Sequence, residues 1–420
     1  MSAVSETVAP AAERVGPRRR ITLPIVLLAI AAVLLLLALL RVVTGADDVA
    51  SSGTIRASIA AAIPIGLAGL GGLWAERAGV VNIGLEGMMI LGTFGAGYFG
   101  YFYNPWAGVI GAVVLGAVGG LIHAVATVSF GVDHIVSGVA INIIALGAVQ
   151  YLAALSFADE PGGGTSQSPS IDDLPTLTLA FLSDPLGDLE QKNWFFVSDV
   201  SALLRALVTG MSSLTIIALA LFVATWYVLW RTAFGLRLRS CGENPAAAES
   251  LGVNVYLYKF AAVTVSGALA GLGGGFLAMV ASSTYRDGQT GGRGFIGLAS
   301  MIFGNWRPGG LLGGSLLFGY TDTVRLRSGG ESVHALLLLV AVLLIGVAVW
   351  QWRNGQRTTA VVSVLIGVGA GVWYAFSDTV PGDFTSMTPY VATLLVLAMF
   401  SQRLRMPAAD GLRYRRGSAG

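Results

Sequence analysis

Long apolar runs separated by short polar joints make up most of the chain. The first, Ile21 to Leu40, is unbroken and matches the ~20 residues needed to cross a bilayer core. Arg18, Arg19 and Arg20 precede it and Arg41 follows. A cleaved signal peptide would have an apolar core of roughly 7–15 residues and then a small-residue cleavage site. This run is longer and meets a charge, so it reads as an uncleaved first span behind a cytosolic tail, residues 1–20. Further spans are expected near 55–73, 83–103, 106–130, 134–157, 205–231, 257–281, 309–325, 333–350, 358–376 and 388–402. The pattern predicts an all-α polytopic membrane protein with about ten to twelve transmembrane helices, its permease-like body spanning residues 21–402.

The polar interruptions set the orientation. Residues 158–200 hold eight carboxylates and one lysine, Lys192. Shortage of basic residues places this loop outside, as a contact for an extracytosolic partner or as a solvated connector. Residues 232–256 carry Arg237 and Arg239 and follow Arg231, which puts them in the cytosol. The tail 403–420, with Arg403, Arg405, Arg413, Arg415 and Arg416, belongs there too. Both termini are then cytosolic and the number of full crossings is even.

Within 232–256 the run Glu243–Asn244–Pro245–Ala246–Ala247–Ala248–Glu249 opens like a helix. Asn244 is a good N-cap, Pro245 suits the first helical position, and Gly252 can close the helix in a left-handed conformation. A short capped helix on the cytosolic face is a surface for another protein to grip; an ordinary loop is the plainer reading. The stretch Ser282–Pro308 differs again. Its apolar part, Phe295 to Phe303, is too short to span, and a glycine-rich turn, Gly291–Gly292–Arg293–Gly294, precedes it. That predicts a half-helix or re-entrant segment, which is tolerated at membrane depth only where protein or a watery cavity receives it.

Composition narrows the class. Of 420 residues 55% are hydrophobic and 11% charged, against ~25% charged in soluble domains. Fifty-seven glycines inside apolar runs suit close helix–helix packing in lipid. Net charge of +2 gives no footing for nucleic acid. One cysteine, Cys241, excludes an intrachain disulfide. The two lysines, Lys192 and Lys259, sit in no P-loop. His123, His134 and His334 are scattered without metal-ligand spacing and read as packed or interfacial side chains. No nucleophile elbow is present. No cofactor or metal is expected, and a membrane enzyme is disfavoured.

Charge at membrane depth is the sharpest signal. In Trp74–Met89 the sequence WAERAGVVNIGLEGMM places Glu76, Arg77, Asn82 and Glu86 beside apolar runs. Such groups face protein, water or each other, and the glycines among them allow a helix to break. Glu76 and Arg77 can equally cap a cytosolic turn. Asn82, Glu86, Asn142 and the Gly291–Gly294 turn, including Arg293, are the candidate pathway groups.

ERAGVVNIGLEGMM resembles a signature of ABC-importer permeases of the branched-chain amino acid and simple-sugar type. It is most similar to nucleoside permeases that work with a basic-membrane-lipoprotein-type binding protein. The resemblance recurs in DHIVSGVAINIIALG, in FGLRLRSCGENPAAAESLGVNV and in TGGRGFIGLASMIFGNWRPGG, covers most of residues 55–325, and extends to PYVATLLVLAMF as a closing span. It implies one half of an alternating-access importer, most similar to those for nucleosides. Its partners would be a second homologous permease, a cytosolic ATPase that hydrolyses ATP, and an extracytosolic binding lipoprotein. The capped helix then corresponds to the coupling helix, with Glu243, Asn244, Pro245, Ala247, Glu249 and Gly252 facing the ATPase. A simple sugar or branched-chain amino acid is the rival cargo. An ion-coupled secondary transporter is the rival class, and it would need Glu86 or Asp133. Residues 351–376 and the long 158–200 loop depart from shorter family members.

Overall fold

The computed structural model describes residues 23–385 except 328, and then residues 387, 388, 391, 404–415 and 417. The expected tail 1–20 and nearly all of the expected closing span 388–402 lie outside the described residues. The helices run in the order α1 (Leu23–Thr44), α2 (Ser52–Arg77), α3 (Leu85–Phe102), α4 (Pro105–Ala124) and α5 (His134–Phe157). A folded insertion follows, with β1 (Thr176–Leu177), α6 (Ala180–Gln191), α7 (Val197–Val208) and β2 (Met211–Ser212). Then come α8 (Ser213–Arg231), α9 (Ala233–Glu243), α10 (Pro245–Ser250), α11 (Val255–Phe276), α12 (Arg293–Phe303), α13 (Pro308–Arg327), α14 (Gly329–Arg353), α15 (Arg357–Phe376) and α16 (Gly382–Thr385). Single π-turns extend α4 through Ser129 and α11 through Ala281.

Eight of the described helices are long and apolar enough to cross a membrane. The all-α polytopic expectation therefore holds. Helices α3 and α13, at 18 and 20 residues, have the length to span but carry more glycine and polar side chains. Two departures from the expected boundaries have local causes. Residues 205–208 end α7 instead of opening a span. The chain breaks at Gly210 (φ +61°) and α8 restarts behind Ser212, whose hydroxyl accepts the Leu214 amide. The stretch before the capped helix is itself helical, because Thr232 Oγ1 accepts the Gly235 amide at 3.1 Å and opens α9.

Helices α2 and α11 form the centre of the bundle, with 78% of each span buried, whereas α15 buries 11% and α5 28%. Glycine makes this centre possible. An added Cβ at Gly92 of α3 would lie 2.1 Å from the Gly271 carbonyl oxygen of α11, and at Gly271 2.3 Å from that of Ala112 in α4. Backbones of α3, α4 and α11 therefore touch directly, as small residues permit in lipid. The outer faces of α4 and α5 are apolar and exposed, for example Ile110, Ile143 and Leu155.

The bundle has two unlike ends. One, here called the basic end, carries the loops with Arg77, Arg237, Arg239 and Arg307, and the 404–415 segment packs there against α9. At the opposite end the 158–212 insertion is a folded cap. Arg41 donates to Asp199 at 3.1 Å and to Asn193 at 2.9 Å, and the Ser52 amide donates to Glu190 at 2.8 Å. Arg41 therefore does not end α1 at residue 40; Asp199 meets its charge and the helix continues to Thr44.

Candidate functional site

The interior of the bundle holds a break between two helices, stitched by the polar residues that the sequence singles out. Helix α2 ends in a Schellman turn: the Gly79 amide donates to Glu76 O at 2.9 Å and the Val80 amide to Ala75 O at 3.0 Å, with Gly79 at φ +81°. Residues 78–84 then run without regular structure to the start of α3. Irregular backbone inside a membrane needs internal partners, and buried side chains supply several. His134 Nδ1 accepts the Val81 amide at 3.3 Å, and His123 Nε2 donates to Val81 O at 3.0 Å. Asn82, fully buried, donates to Ser266 Oγ at 2.8 Å and accepts the Gly84 amide at 3.0 Å. Asn142 of α5 donates to Ile83 O at 3.1 Å and accepts the Gly87 amide at 2.7 Å.

Glu86 joins this break to the half-helix. Its two carboxylate oxygens accept the amides of Gly292 at 2.8 Å and Gly294 at 2.7 Å. Those amides open α12, where the helix dipole and unpaired N–H groups favour negative charge. Helix α12 has 11 residues, so it rises about 16 Å, half of a bilayer core. The half-helix expected from the sequence is therefore present. Gly294 has to be glycine, because a Cβ there would lie 2.6 Å from the Glu86 nitrogen.

Asn82, Glu86, Asn142, Gly292 and Gly294 thus come together in one knot. Gly291, at φ +54°, is exposed next to it. Arg293 turns away, donating to Asp322 of α13 at 3.3 Å, and Asp322 also receives Arg325 at 2.7 Å. Asp133 caps α5 through the Val136 and Ile135 amides, which hold its carboxyl below the usual range. Both carboxylates that an ion-coupled mechanism would need are thus engaged by backbone amides.

Sequence reasoning missed the contacts around the segment that leads into α12. The segment before α12 is bound by the insertion: the Ser168 amide donates to Tyr285 O at 3.0 Å, Ile171 to Ser283 O at 2.8 Å and Asp287 to Ser166 O at 2.8 Å. Gln150 of α5 reaches Asp287 at 2.8 Å on an exposed face. A lone glutamine inside a membrane span was the available signal.

At the basic end, α10 is built as its residues dictate. Asn244 Oδ1 accepts the Ala247 amide at 3.0 Å, and Pro245 occupies the first turn. A second Schellman turn closes it, with Gly252 N to Glu249 O at 2.8 Å, Val253 N to Ala248 O at 3.0 Å and Gly252 at φ +80°. Buried Ala248 and Cys241 anchor it, while Ala247, Ser250 and Leu251, 84% exposed, face outward. Burial pushes the Cys241 thiol up to about 11, which leaves it inert. Glu243 approaches Arg77 at 3.9 Å, and Glu249 Oε2 accepts the Gly417 amide at 3.4 Å. Arg77 and Glu76 both hold Trp306, through its carbonyl and its indole N–H respectively. The capping role considered for this pair is thus a bracing of the α12–α13 turn against α2.

Residues 54–348 match the family described as branched-chain amino acid transport system, permease component. The guanosine ABC transporter permease protein NupQ of Bacillus subtilis is 34% identical over 370 residues, 86% of this chain and 96% of its own. The nucleoside ABC transporter permease protein NupC of Lactococcus lactis is 33% identical over 359 residues, 84% of this chain and 93% of its own. NupP, a second guanosine permease protein of Bacillus subtilis, is 28% identical over 61% of this chain and 69% of its own. No solved structure matches the chain. With 70% of its length inside the family match and near-complete relatives of this kind, the chain belongs to the branched-chain amino acid-type permeases, the multi-pass membrane subunits of ABC importers.

Proposed function

We propose that this permease carries nucleosides inward by alternating access, as one half of a heterodimer with a second, homologous permease. The similarity to NupQ and NupC over nearly the whole of both chains carries the choice of cargo. NupQ and NupP in one organism, and NupC and NupB in another, support a pair of unlike permeases. The basic end faces the cytosol, following the excess of arginine in its loops, and both termini lie on that side. There α10 seats in an ATPase subunit, presenting Ala247, Ser250 and Leu251 while Asn244, Pro245 and Gly252 hold its shape. The capped opposite end receives solute from a binding lipoprotein.

Exposed Gly291 and half-exposed Asn142 mark where solute passes the knot, beside the face of α5 that carries Gln150. Asn82 and Glu86 act there by holding the break and the half-helix in register. Neutral solutes suit such a path, because Glu86 already occupies the positive end of α12. The test is uptake of labelled guanosine and uridine with and without this chain, with ribose and leucine as competitors. Loss of nucleoside uptake on deletion, insensitive to both competitors, is the expected result. Retained nucleoside uptake with lost ribose or leucine uptake would overturn the cargo and leave the importer.

A further inference from the structure

The described segment of the C-terminal tail crosses the basic end as a strap. The Arg405 amide donates to Asn305 Oδ1 at 2.8 Å, the Ala408 amide to Glu243 Oε2 at 3.3 Å and the Ala409 amide to Gly242 O at 2.9 Å. The Ala409 carbonyl lies over Gly79, 3.2 Å from where a Cβ would sit, and the Tyr414 ring meets Tyr256 with centroids 5.6 Å apart. One short stretch of chain therefore touches the turn that follows the half-helix, α9, the turn that ends α2 and the foot of α11, and its Tyr414 packs on the cluster that holds Ala248 of α10. These are the parts that must move together if force applied at α10 is to reach α12.

An acid pair lies under the strap. Asp410 is 7% exposed and Glu76 3%; the Ala409 carbonyl beside Asp410 lies on the Gly79 turn that Glu76 closes, which brings the two carboxyls close enough to act on each other. Neither Asp410 oxygen has a fully formed hydrogen bond from the described residues. Lys259 of α11 and Arg77 of α2 lie near and compensate in part, as does the Gly411 amide. Lys259 is itself committed to Gly79 O at 3.2 Å. Arg77 also faces Glu243 and Arg239 of α9 and Arg307 of the α12–α13 turn. Arg413 of the strap acts on Asp133 and His134 at the start of α5. Two adjacent buried carboxylates do not both ionise cheaply, so the pair is stable with one proton between them.

Resting on the importer reading, we propose that Arg405–Tyr414 is a strut transmitting motion between α10 and α12, fastened by a proton shared between Glu76 and Asp410. Both acids are positioning residues, since they act through the strap. Burial pushes the Asp410 carboxyl up to about 7, whereas a free aspartate ionises near ~4. Between those values the docked strap thus holds a proton that the free strap has lost. Docking is tightest in acid, weakens as pH rises from about 4 to about 7, and is level above that.

The test uses the assembled transporter in proteoliposomes, comparing wild type, Asp410→Asn and a chain lacking residues 404–420. The carboxamide introduced by Asp410→Asn donates to Glu76 as the protonated acid does, and it does not titrate. Strap docking is read by thiol labelling in an Ala409→Cys background, with limited trypsin cleavage at Arg405 and Arg413 as a second measurement without that substitution. The labelling ratio of wild type to Asp410→Asn is expected to rise about tenfold per pH unit between pH ~5 and ~7, as for release of one proton. Cargo moved per ATP hydrolysed should fall with pH in wild type, stay high in Asp410→Asn and be low at every pH in the truncated chain. A flat labelling ratio, or full coupling without the strap, would overturn the proposal. ATP-independent uptake in wild type would instead overturn the importer reading, and the labelling ratio would still decide the shared proton.

Discussion

Single atoms decide where this bundle tolerates change. Glu86 satisfies one buried and one part-buried amide at once, and a buried amide left unsatisfied costs about 1–3 kcal/mol. Glu86→Ala should therefore lower thermal stability strongly in nanodiscs and abolish uptake, while Glu86→Gln, which keeps one good acceptor, should fall between it and wild type. Equal melting temperatures for all three would remove the capping role. Glycines differ just as sharply. Gly271→Ala forces a methyl against the Ala112 carbonyl, and overpacking of this kind costs about 1–3 kcal/mol. Gly147→Ala in α5 meets nothing within 4 Å and should be neutral or stabilising by about 0.5–1 kcal/mol as a helical glycine replaced. The abundance of glycine announced close packing from the sequence. Which glycines touch was not legible, because the neighbours of Gly271 lie about 160 residues earlier in the chain.

Elements were legible where capping chemistry is local. Asn244, Pro245 and Gly252 specify α10 through bonds spanning no more than five residues, so the sequence predicted its start and end. Helix α9 escaped notice because arginines and glycines fill it, and its stability depends on Gly235 packing against the Leu229 backbone. The knot was half legible: polarity in apolar surroundings flagged Asn82, Glu86 and Asn142. The roles of Glu86 and Asn142 as backbone partners depend on contacts across 55 and more residues, and Asn82 is tied to Ser266, 184 residues away. At this scale the surface of α10 makes a clear prediction. Leu251→Asp changes an exposed side chain and should leave stability within ±0.5 kcal/mol, yet it should prevent co-purification of the ATPase. Asn244→Ala removes the cap, costs about 1 kcal/mol, and should weaken that association less. Normal ATPase recovery with Leu251→Asp would move the docking surface away from α10.

Across the whole molecule, chain segments remote in sequence close both ends of the bundle. The strap covers the basic end, and the 158–212 insertion covers the other, pairing with residues 283–287 just before the half-helix. The shortage of basic residues led to the expectation of an extracytosolic insertion, whereas its docking rests on Arg41 and Asp199, 158 residues apart and both buried. Pairing makes that ion pair a latch: losing one partner leaves a buried charge unmet, at a cost of about 3–5 kcal/mol. Asp199→Ala should therefore undock the insertion, which would appear as rapid proteolysis within residues 158–212 while the transmembrane core remains resistant. Arg41→Leu together with Asp199→Leu removes both charges and should restore much of the protection. If the insertion is a gate over the half-helix, Asp199→Ala should also raise basal ATP hydrolysis without cargo in the assembled transporter, and the double variant should return it toward wild type. Resistance to protease unchanged in Asp199→Ala would mean that backbone pairing with residues 283–287 alone holds the cap in place.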